Sequence, residues 1–109
     1  MSLNKVLLIG RLGNDPELKE TSAGESVCNF SVATSEKWKD KDGVSHEKTQ
    51  WHRVTVWKKL AEACSEYLSK GRLVYIEGSL STKSWEENGI TKYSTEIIAS
   101  NVQFLEPKS

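Results

Sequence analysis

The segment at residues 51–57, Trp-His-Arg-Val-Thr-Val-Trp, constrains the fold of this chain more than any other part of the sequence. In a β-strand, successive side chains point to opposite faces. One face would carry a histidine and two β-branched residues suited to a sheet core: His52, Val54 and Val56. The other face would carry two indoles, a guanidinium and a hydroxyl: Trp51, Arg53, Thr55 and Trp57. A core would not place Arg53 and Thr55 between two indoles, so we expect this second face to lie at the surface.

The other hydrophobic patterns predict four more strands and one helix. Residues 6–12 are apolar on both faces, which is typical of a strand that is covered on both sides. Residues 28–33 alternate and predict a second strand, and residues 60–68 have apolar side chains at helical spacing. We expect Lys70 and Gly71 to end that helix as C-terminal charge and glycine cap. The last two strands cover residues 73–85 and 93–98 and are joined by an Asn88-Gly89 turn.

Three strands, one helix and two strands follow one another in the order of the OB-fold. We therefore predict an all-β protein with one short helix, folded as a five-stranded Greek-key barrel. The length of 109 residues suits a single domain, which we assign to residues 1–109. In an OB-fold, the face of strands 2 and 3 and the 1–2 and 4–5 loops bind oligonucleotides.

All four tryptophans of the chain fall in those regions, and each has polar neighbours: Trp38, Trp51, Trp57 and Trp85. A single tryptophan in a small domain is more often part of the core. The joint pattern instead favours a surface on which bases stack. The cations expected along a phosphate backbone, each of which would otherwise be an ordinary solvated charge, are Arg53, Lys59, Lys70 and Lys83. His52 points away from Arg53, so a packed or interface role is favoured over catalysis.

The net charge is zero, with 15 basic and 15 acidic residues. This balance argues mildly against nucleic-acid binding, for which a basic domain is usual. If the chain does bind nucleic acid, stacking should therefore carry much of the affinity. No nucleophile elbow, phosphate-binding glycine loop or His/Cys ligand cluster is present, so we expect no enzyme activity, metal or cofactor. Cys28 and Cys64 have no CxxC spacing and are predicted to be buried free thiols in a reducing cytoplasm.

Several motifs resemble those of bacterial single-stranded DNA-binding proteins over nearly the whole length. They include Asn-Lys-Val-Leu-Leu-Ile-Gly-Arg at residues 4–11, Trp-His-Arg-Val at residues 51–54 and Val-Tyr-Ile-Glu-Gly at residues 74–78. The resemblance implies a homotetramer that wraps single-stranded DNA and protects it in replication, recombination and repair. It also implies a cytoplasmic, nucleoid-associated protein with no membrane partner.

The resemblance assigns roles to individual residues. Base stacking falls on Trp38, Trp51, Trp57 and Trp85, with Trp57 at a position where many members carry phenylalanine. DNA-contacting cations fall on Lys41, Arg53, Lys59 and Lys70. Ser84 stands where members often have a base, and Lys83 is expected to compensate. The subunit interface is expected at His52 and in the first strand, at Lys5, Leu7 and Ile9.

Members of this family usually continue into a disordered tail with an acidic tip that recruits replication and repair proteins. Residues 1–109 contain no such tail, so we expect no recruitment through them. Three other interpretations stay open: an OB-fold module for RNA or a protein partner, a small nuclease, and a structural barrel with buried indoles.

Overall fold

The computed structural model of the protein describes residues 1–106 and contains six strands and one helix in that range. In chain order they are β1 (Val6–Leu12), β2 (Glu17–Glu20), β3 (Ser26–Lys39), β4 (Ser45–Trp57), α1 (Lys58–Tyr67), β5 (Leu73–Glu87) and β6 (Ile90–Phe104). The last three residues of the predicted domain, 107–109, lie outside the described residues.

Five of the strands close into a barrel. The sheet runs in the order β1-β5-β6-β4-β3, and β1 pairs back onto β3 through Arg11↔Ala33 and Leu12↔Val32. Strands β4 and β6 are parallel neighbours and the other pairs are antiparallel. The predicted five-stranded barrel with one helix is therefore confirmed.

Strand β2 is an addition that the sequence analysis missed. It pairs with the first residues of β3, from Glu17↔Asn29 to Glu20↔Ser26, and takes no part in closing the barrel. All four of its residues are exposed. A strand with no buried face has no apolar alternation, which is the signal that reveals strands in a sequence.

The core fills the barrel and continues onto the helix. Its fully buried members include Val32, Val54, Val74 and Ile76 of the strands. Helix α1 packs mainly on β3 and buries Ala61 and Cys64. Cys28 and Cys64 are both buried free thiols, as predicted. Burial raises the pKa of Cys28 to about 11 and that of Cys64 to about 12.

The predicted helix end was wrong. Helix α1 ends at Tyr67, and Leu68 takes an extended conformation while its N–H donates to the carbonyl oxygen of Cys64 at 3.0 Å. The side chain of Leu68 belongs to the core, so the chain must leave the helix before it reaches the glycine. Gly71 adopts a φ of 90° in the following turn, and its N–H donates to Leu12 O of β1 at 2.8 Å.

Two long hairpins extend beyond the barrel. The β3–β4 hairpin pairs continuously from Val27↔Trp57 to Lys39↔Ser45, and the β5–β6 hairpin extends to Glu87↔Ile90. At the β5–β6 turn, Asn88 and Gly89 have φ values of 53° and 79°, as the two central residues of a type I′ turn require. These hairpins carry Trp38 and Trp85 away from the core.

Candidate nucleic-acid interface

One continuous outer surface joins β4, β6 and β5. Alternation along β4 places four side chains on it, and two short contacts bring in the next strand: Arg53 Nη1 donates to Ser94 Oγ at 2.7 Å, and Thr55 Oγ1 donates to Glu96 Oε2 at 2.8 Å. The pair Lys83↔Ser94 continues the surface onto β5, where Trp85 shares the face of Lys83. We call this surface the indole face; it comprises Trp51, Arg53, Thr55, Trp57, Ser94, Glu96, Lys83 and Trp85.

The indoles are open to solvent. The exposed fractions are 62% for Trp51, 38% for Trp57, 45% for Trp85 and 47% for Trp38. Flat aromatic faces at a polar surface can stack with bases of any sequence. This exposure rules out the interpretation of a structural barrel with buried indoles.

Thr55 differs from its neighbours on the same strand face because it is buried. Its hydroxyl lies 3.0 Å from Asn29 Oδ1 of β3 and 2.8 Å from Glu96 Oε2 of β6. One hydroxyl proton therefore lies between two acceptors from neighbouring strands. The expected surface position of Thr55 was wrong because Glu96, which is 41 residues away in the chain, covers it. Thr55 supports the face from below and is not available to a ligand.

Three lysines near the indole face are paired with carboxylates. Lys83 Nζ lies 3.3 Å from Glu96 Oε1, and two further pairs on β2 and on the β5–β6 hairpin join Lys19 to Glu17 and Lys92 to Glu87. Arg53 differs, because its partner Ser94 is a neutral hydroxyl. Its guanidinium shares the strand face of Trp51 and has no carboxylate within 4 Å among residues 1–106.

The other three predicted cations lie on separate elements. Lys41 is in the turn of the β3–β4 hairpin, Lys59 is in the first turn of α1, and Lys70 follows α1. Within residues 1–106, no carboxylate lies within 4 Å of their ammonium groups. Lys59 comes two residues after Trp57, since β4 passes directly into α1 through Lys58, whose φ is 63°.

Trp38 lies on the other side of the β3–β4 hairpin from Trp51. The unbroken register pairs Trp38 with His46 and Trp51 with Ala33, so alternation places Trp38 with Val32 on the core-facing side. Of the four tryptophans, three therefore share the indole face and Trp38 forms a separate platform. The expectation that both residues line this hairpin is correct, but they line opposite faces of it.

His46 extends the Trp38 platform and was missed in the sequence analysis. The two rings stack with centroids 5.5 Å apart and planes inclined by 21°. His46 Nε2 donates to Asp40 Oδ2 at 2.8 Å, and Asp40 Oδ1 accepts the N–H groups of Asp42 and Val44. The hydrogen bond from His46, followed by that from Val44, lowers the pKa of Asp40. A two-residue turn at Asp42-Gly43 would have placed Glu47 opposite Trp38; the observed register leaves residues 41–43 in the loop and brings His46 there instead.

The predicted interface residues occupy two parts of the barrel. Leu7 and Ile9 expose their apolar side chains on β1, and Lys5 Nζ lies 3.9 Å from Glu77 on the neighbouring strand β5. His52 lies on β4, which does not pair with β1. Its ring is half-buried, with Nε2 2.9 Å from Thr34 Oγ1. An exposed apolar pair on a barrel strand is the kind of surface that protein contacts cover.

The structure was searched for a membrane-spanning helix and for a metal-binding cluster of side chains. No helix in residues 1–106 is long and apolar enough to cross a bilayer. In the same residues, no group of three or more His, Cys, Asp or Glu side chains is arranged to hold a metal ion.

Known proteins resemble this chain in both sequence and structure. It is 57% identical over 108 residues to single-stranded DNA-binding protein 1 of Chlorobaculum tepidum, and 50% identical over 106 residues to the single-stranded DNA-binding protein of Neisseria meningitidis. These matches cover 97% and 96% of this chain, but 67% and 61% of the respective relatives.

Two solved structures share the fold. A Plasmodium falciparum SSB in complex with ssDNA superposes with a TM-score of 0.89 at 42% identity, and the match covers 97% of each chain. A deletion mutant of the single-stranded DNA binding protein from Thermus aquaticus gives a TM-score of 0.84 at 32% identity, covering 95% of this chain and 51% of that one.

The sequence model of the single-strand binding protein family matches residues 3–105, nearly the whole chain. Together with the 50–57% identity to curated relatives, this match shows that the chain belongs to the single-strand binding protein family.

Proposed function

We propose that this protein binds single-stranded DNA without strong sequence preference and thereby protects it in replication, recombination and repair. The observation that carries the proposal is the indole face, where Trp51, Trp57 and Trp85 are exposed on the same face as the guanidinium of Arg53. Bases stack on the indoles and the DNA backbone is bound by Arg53. Trp38, on its separate platform, extends the track along the β3–β4 hairpin.

Stacking supplies most of the affinity in this proposal. Each base stacked on an aromatic ring contributes roughly 1–3 kcal/mol. The net charge is zero, and Lys83 and Lys92 beside the indole face are paired with carboxylates. Phosphate contacts then come from Arg53 and from the unpaired Lys41, Lys59 and Lys70. Paired bases in a duplex cannot offer their faces to indoles, so duplex DNA binds poorly.

The proposed active form is a homotetramer that wraps the strand. The support for this assembly is the exposed pair Leu7 and Ile9 on β1, together with the half-buried His52. Light scattering on Ile9→Asp, and on His52 replaced by tyrosine, tests the assembly, with exposed Thr91→Asp as a control for added charge. We expect the first two variants to lose mass by dissociation, and an unchanged mass in both would contradict the proposal.

Titration with poly-dT, followed by tryptophan fluorescence, tests DNA binding itself. We expect strong quenching by the single strand, little by the matched duplex, and a logarithmic salt slope of about −0.7 for each phosphate neutralised. Absence of quenching, or equal quenching by the duplex, would overturn the proposal. A matched RNA oligomer is the control for an RNA-binding module, which should gain affinity from the 2′-hydroxyl. Labelled DNA incubated with Mg²⁺ should stay intact, since a nuclease would cleave it.

A further inference from the structure

Glu96 is an acidic side chain on a surface that is proposed to bind a polyanion. It is 8% exposed, and it is the most buried carboxylate among residues 1–106. Its Oε2 accepts the hydroxyl of Thr55 at 2.8 Å, and its Oε1 lies 3.3 Å from Lys83 Nζ. The predicted phosphate ligand Lys83 is therefore already the partner of a carboxylate.

The two side chains of this ion pair differ in how freely they can move. The side chain of Glu96 is 10% exposed and is fixed by Thr55, whereas that of Lys83 is 67% exposed. Lysine carries a compact charge on a flexible four-carbon stem. The ammonium can therefore move, and the carboxylate cannot. If Lys83 left to bind a phosphate, it would leave a fixed negative charge without its partner in the middle of the indole face.

We infer that Glu96 is a positioning residue for DNA: it retains Lys83 as its counter-ion and keeps the phosphodiester backbone away from the centre of the indole face. The backbone then runs along the Arg53 side, where the cation has a neutral partner in Ser94. The centre, beside Thr55 and Lys83, is then left to the bases. This inference rests on the proposed function and specifies which cations contact phosphate.

The test measures affinity for poly-dT against salt concentration for the wild type, Glu96→Gln, Lys83→Met and the double variant. Glutamine still accepts the Thr55 hydroxyl and releases Lys83 for one phosphate contact. We expect the salt slope of Glu96→Gln to steepen by about 0.7, which is about fivefold tighter binding near 0.1 M salt. The double variant, in which both charges are absent, should bind like the wild type.

Glu87→Gln is the matched control. It makes the same change in net charge and breaks the Lys92–Glu87 pair, whose side chains are both about half exposed. If Glu96→Gln and Glu87→Gln tighten binding equally, general electrostatics explains the gain and the inference is wrong. The inference is also wrong if the double variant loses affinity to the same extent as Lys83→Met, because Lys83 would then be a phosphate ligand.

Lys83→Met alone decides the matter if Glu96→Gln does not fold, as judged by circular dichroism. A counter-ion makes no phosphate contact, so the salt slope should stay at the wild-type value, whereas loss of a phosphate ligand would make it shallower by about 0.7. Failure of the proposed function is distinguishable, since the wild type would then show no quenching with poly-dT. Quenching in the wild type with no distinctive effect at Glu96 would overturn this inference alone.

Discussion

The indole of Trp51 lies directly over Gly13, so that a Cβ at position 13 would overlap Cζ3 of Trp51 and lie 2.8 Å from Ser31 Oγ. Gly13→Ala should therefore displace the indole and weaken DNA binding by up to the stacking increment of roughly 1–3 kcal/mol. The melting temperature should change little, because the displaced groups are side chains at the surface. Poly-dT titration and thermal unfolding measure the two effects.

Gly10→Ala is the contrasting control for Gly13→Ala. A Cβ at position 10 would overlap the backbone carbonyl of Ala33 on β3, which cannot move aside. We expect this variant to lose stability markedly. If Gly13→Ala binds DNA like the wild type, the position of the Trp51 ring is not important for binding.

Trp51→Ala and Trp57→Ala should each weaken binding to poly-dT by roughly 1–3 kcal/mol, since each removes one stacking platform. Both side chains are exposed, so folding should survive. Circular dichroism and thermal unfolding check the fold of each variant, and fluorescence quenching or anisotropy measures binding. If either variant fails to fold, that tryptophan is part of the core and not a stacking platform.

Trp38→Ala should show an effect that depends on oligonucleotide length, because Trp38 lies on the opposite side of the β3–β4 hairpin from Trp51. An oligonucleotide of about eight nucleotides can occupy the indole face alone, so its affinity should hardly change. Binding of long poly-dT, which reaches both platforms, should weaken. Trp51→Ala is the control and should weaken both. Equal loss for both lengths in Trp38→Ala would mean that one track includes both residues.

The tip of the β3–β4 hairpin should loosen in acid. The hydrogen bond from His46 lowers the pKa of Asp40 in the folded protein. A group with a depressed folded pKa contributes stability that is fully present above its unfolded pKa, about 3.9 for aspartate, and is lost as the pH falls through the folded value. The indole N–H resonance of Trp38 should therefore shift below about pH 4.

Asp40→Asn should produce a similar shift at neutral pH, since it removes the carboxylate that holds His46. Asp42→Asn is the matched control, because within residues 1–106 only the backbone N–H of Asp42 takes part in the hydrogen bonds of this turn. If Asp42→Asn has the same effect, the turn as a whole and not the Asp40–His46 bond orders Trp38.

The two thiols should be unreactive in the folded protein. The thiolate is the nucleophile, and burial raises the pKa of Cys28 to about 11 and of Cys64 to about 12. A thiol-reactive reagent at about pH 8 should modify neither residue until denaturant is added, when both should react. Rapid modification of the native protein would show that the barrel opens readily at α1.

Local patterns predicted the elements that local forces determine. Residues 6–12, which are apolar on both faces, predicted β1 with its observed bounds. The Asn88-Gly89 pair predicted a turn, in which both residues have positive φ. The polar residues next to each tryptophan correctly predicted that the indoles are exposed. Strand β2 and the end of α1 were missed or misplaced, because an all-exposed strand has no pattern and the burial of Leu68 overrides the nearby glycine.

The geometry between strands was beyond such patterns. Alternation determines which residues of one strand share a face, but Trp38 and Trp51 lie on different strands, and a shift of one residue in the β3–β4 register would reverse their relation. The burial of Thr55 depends on Glu96, which reaches it only once β6 lies beside β4. The ion pair between Lys83 and Glu96 also joins two different strands, so the sequence around Lys83 could not predict it.

The barrel closes through two short seams, and this affects how the protein folds. The β1–β3 seam has two residue pairs and so does the parallel β4–β6 seam, where Val54 meets Ile97. The hairpins join strands that are neighbours in the chain, whereas the seams join distant segments, and non-local contacts form slowly because the chain entropy is lost first. We therefore expect the hairpins to form early and closure to be the late, rate-limiting event. The indole face straddles the β4–β6 seam, so we expect its residues to come together only in the last step of folding.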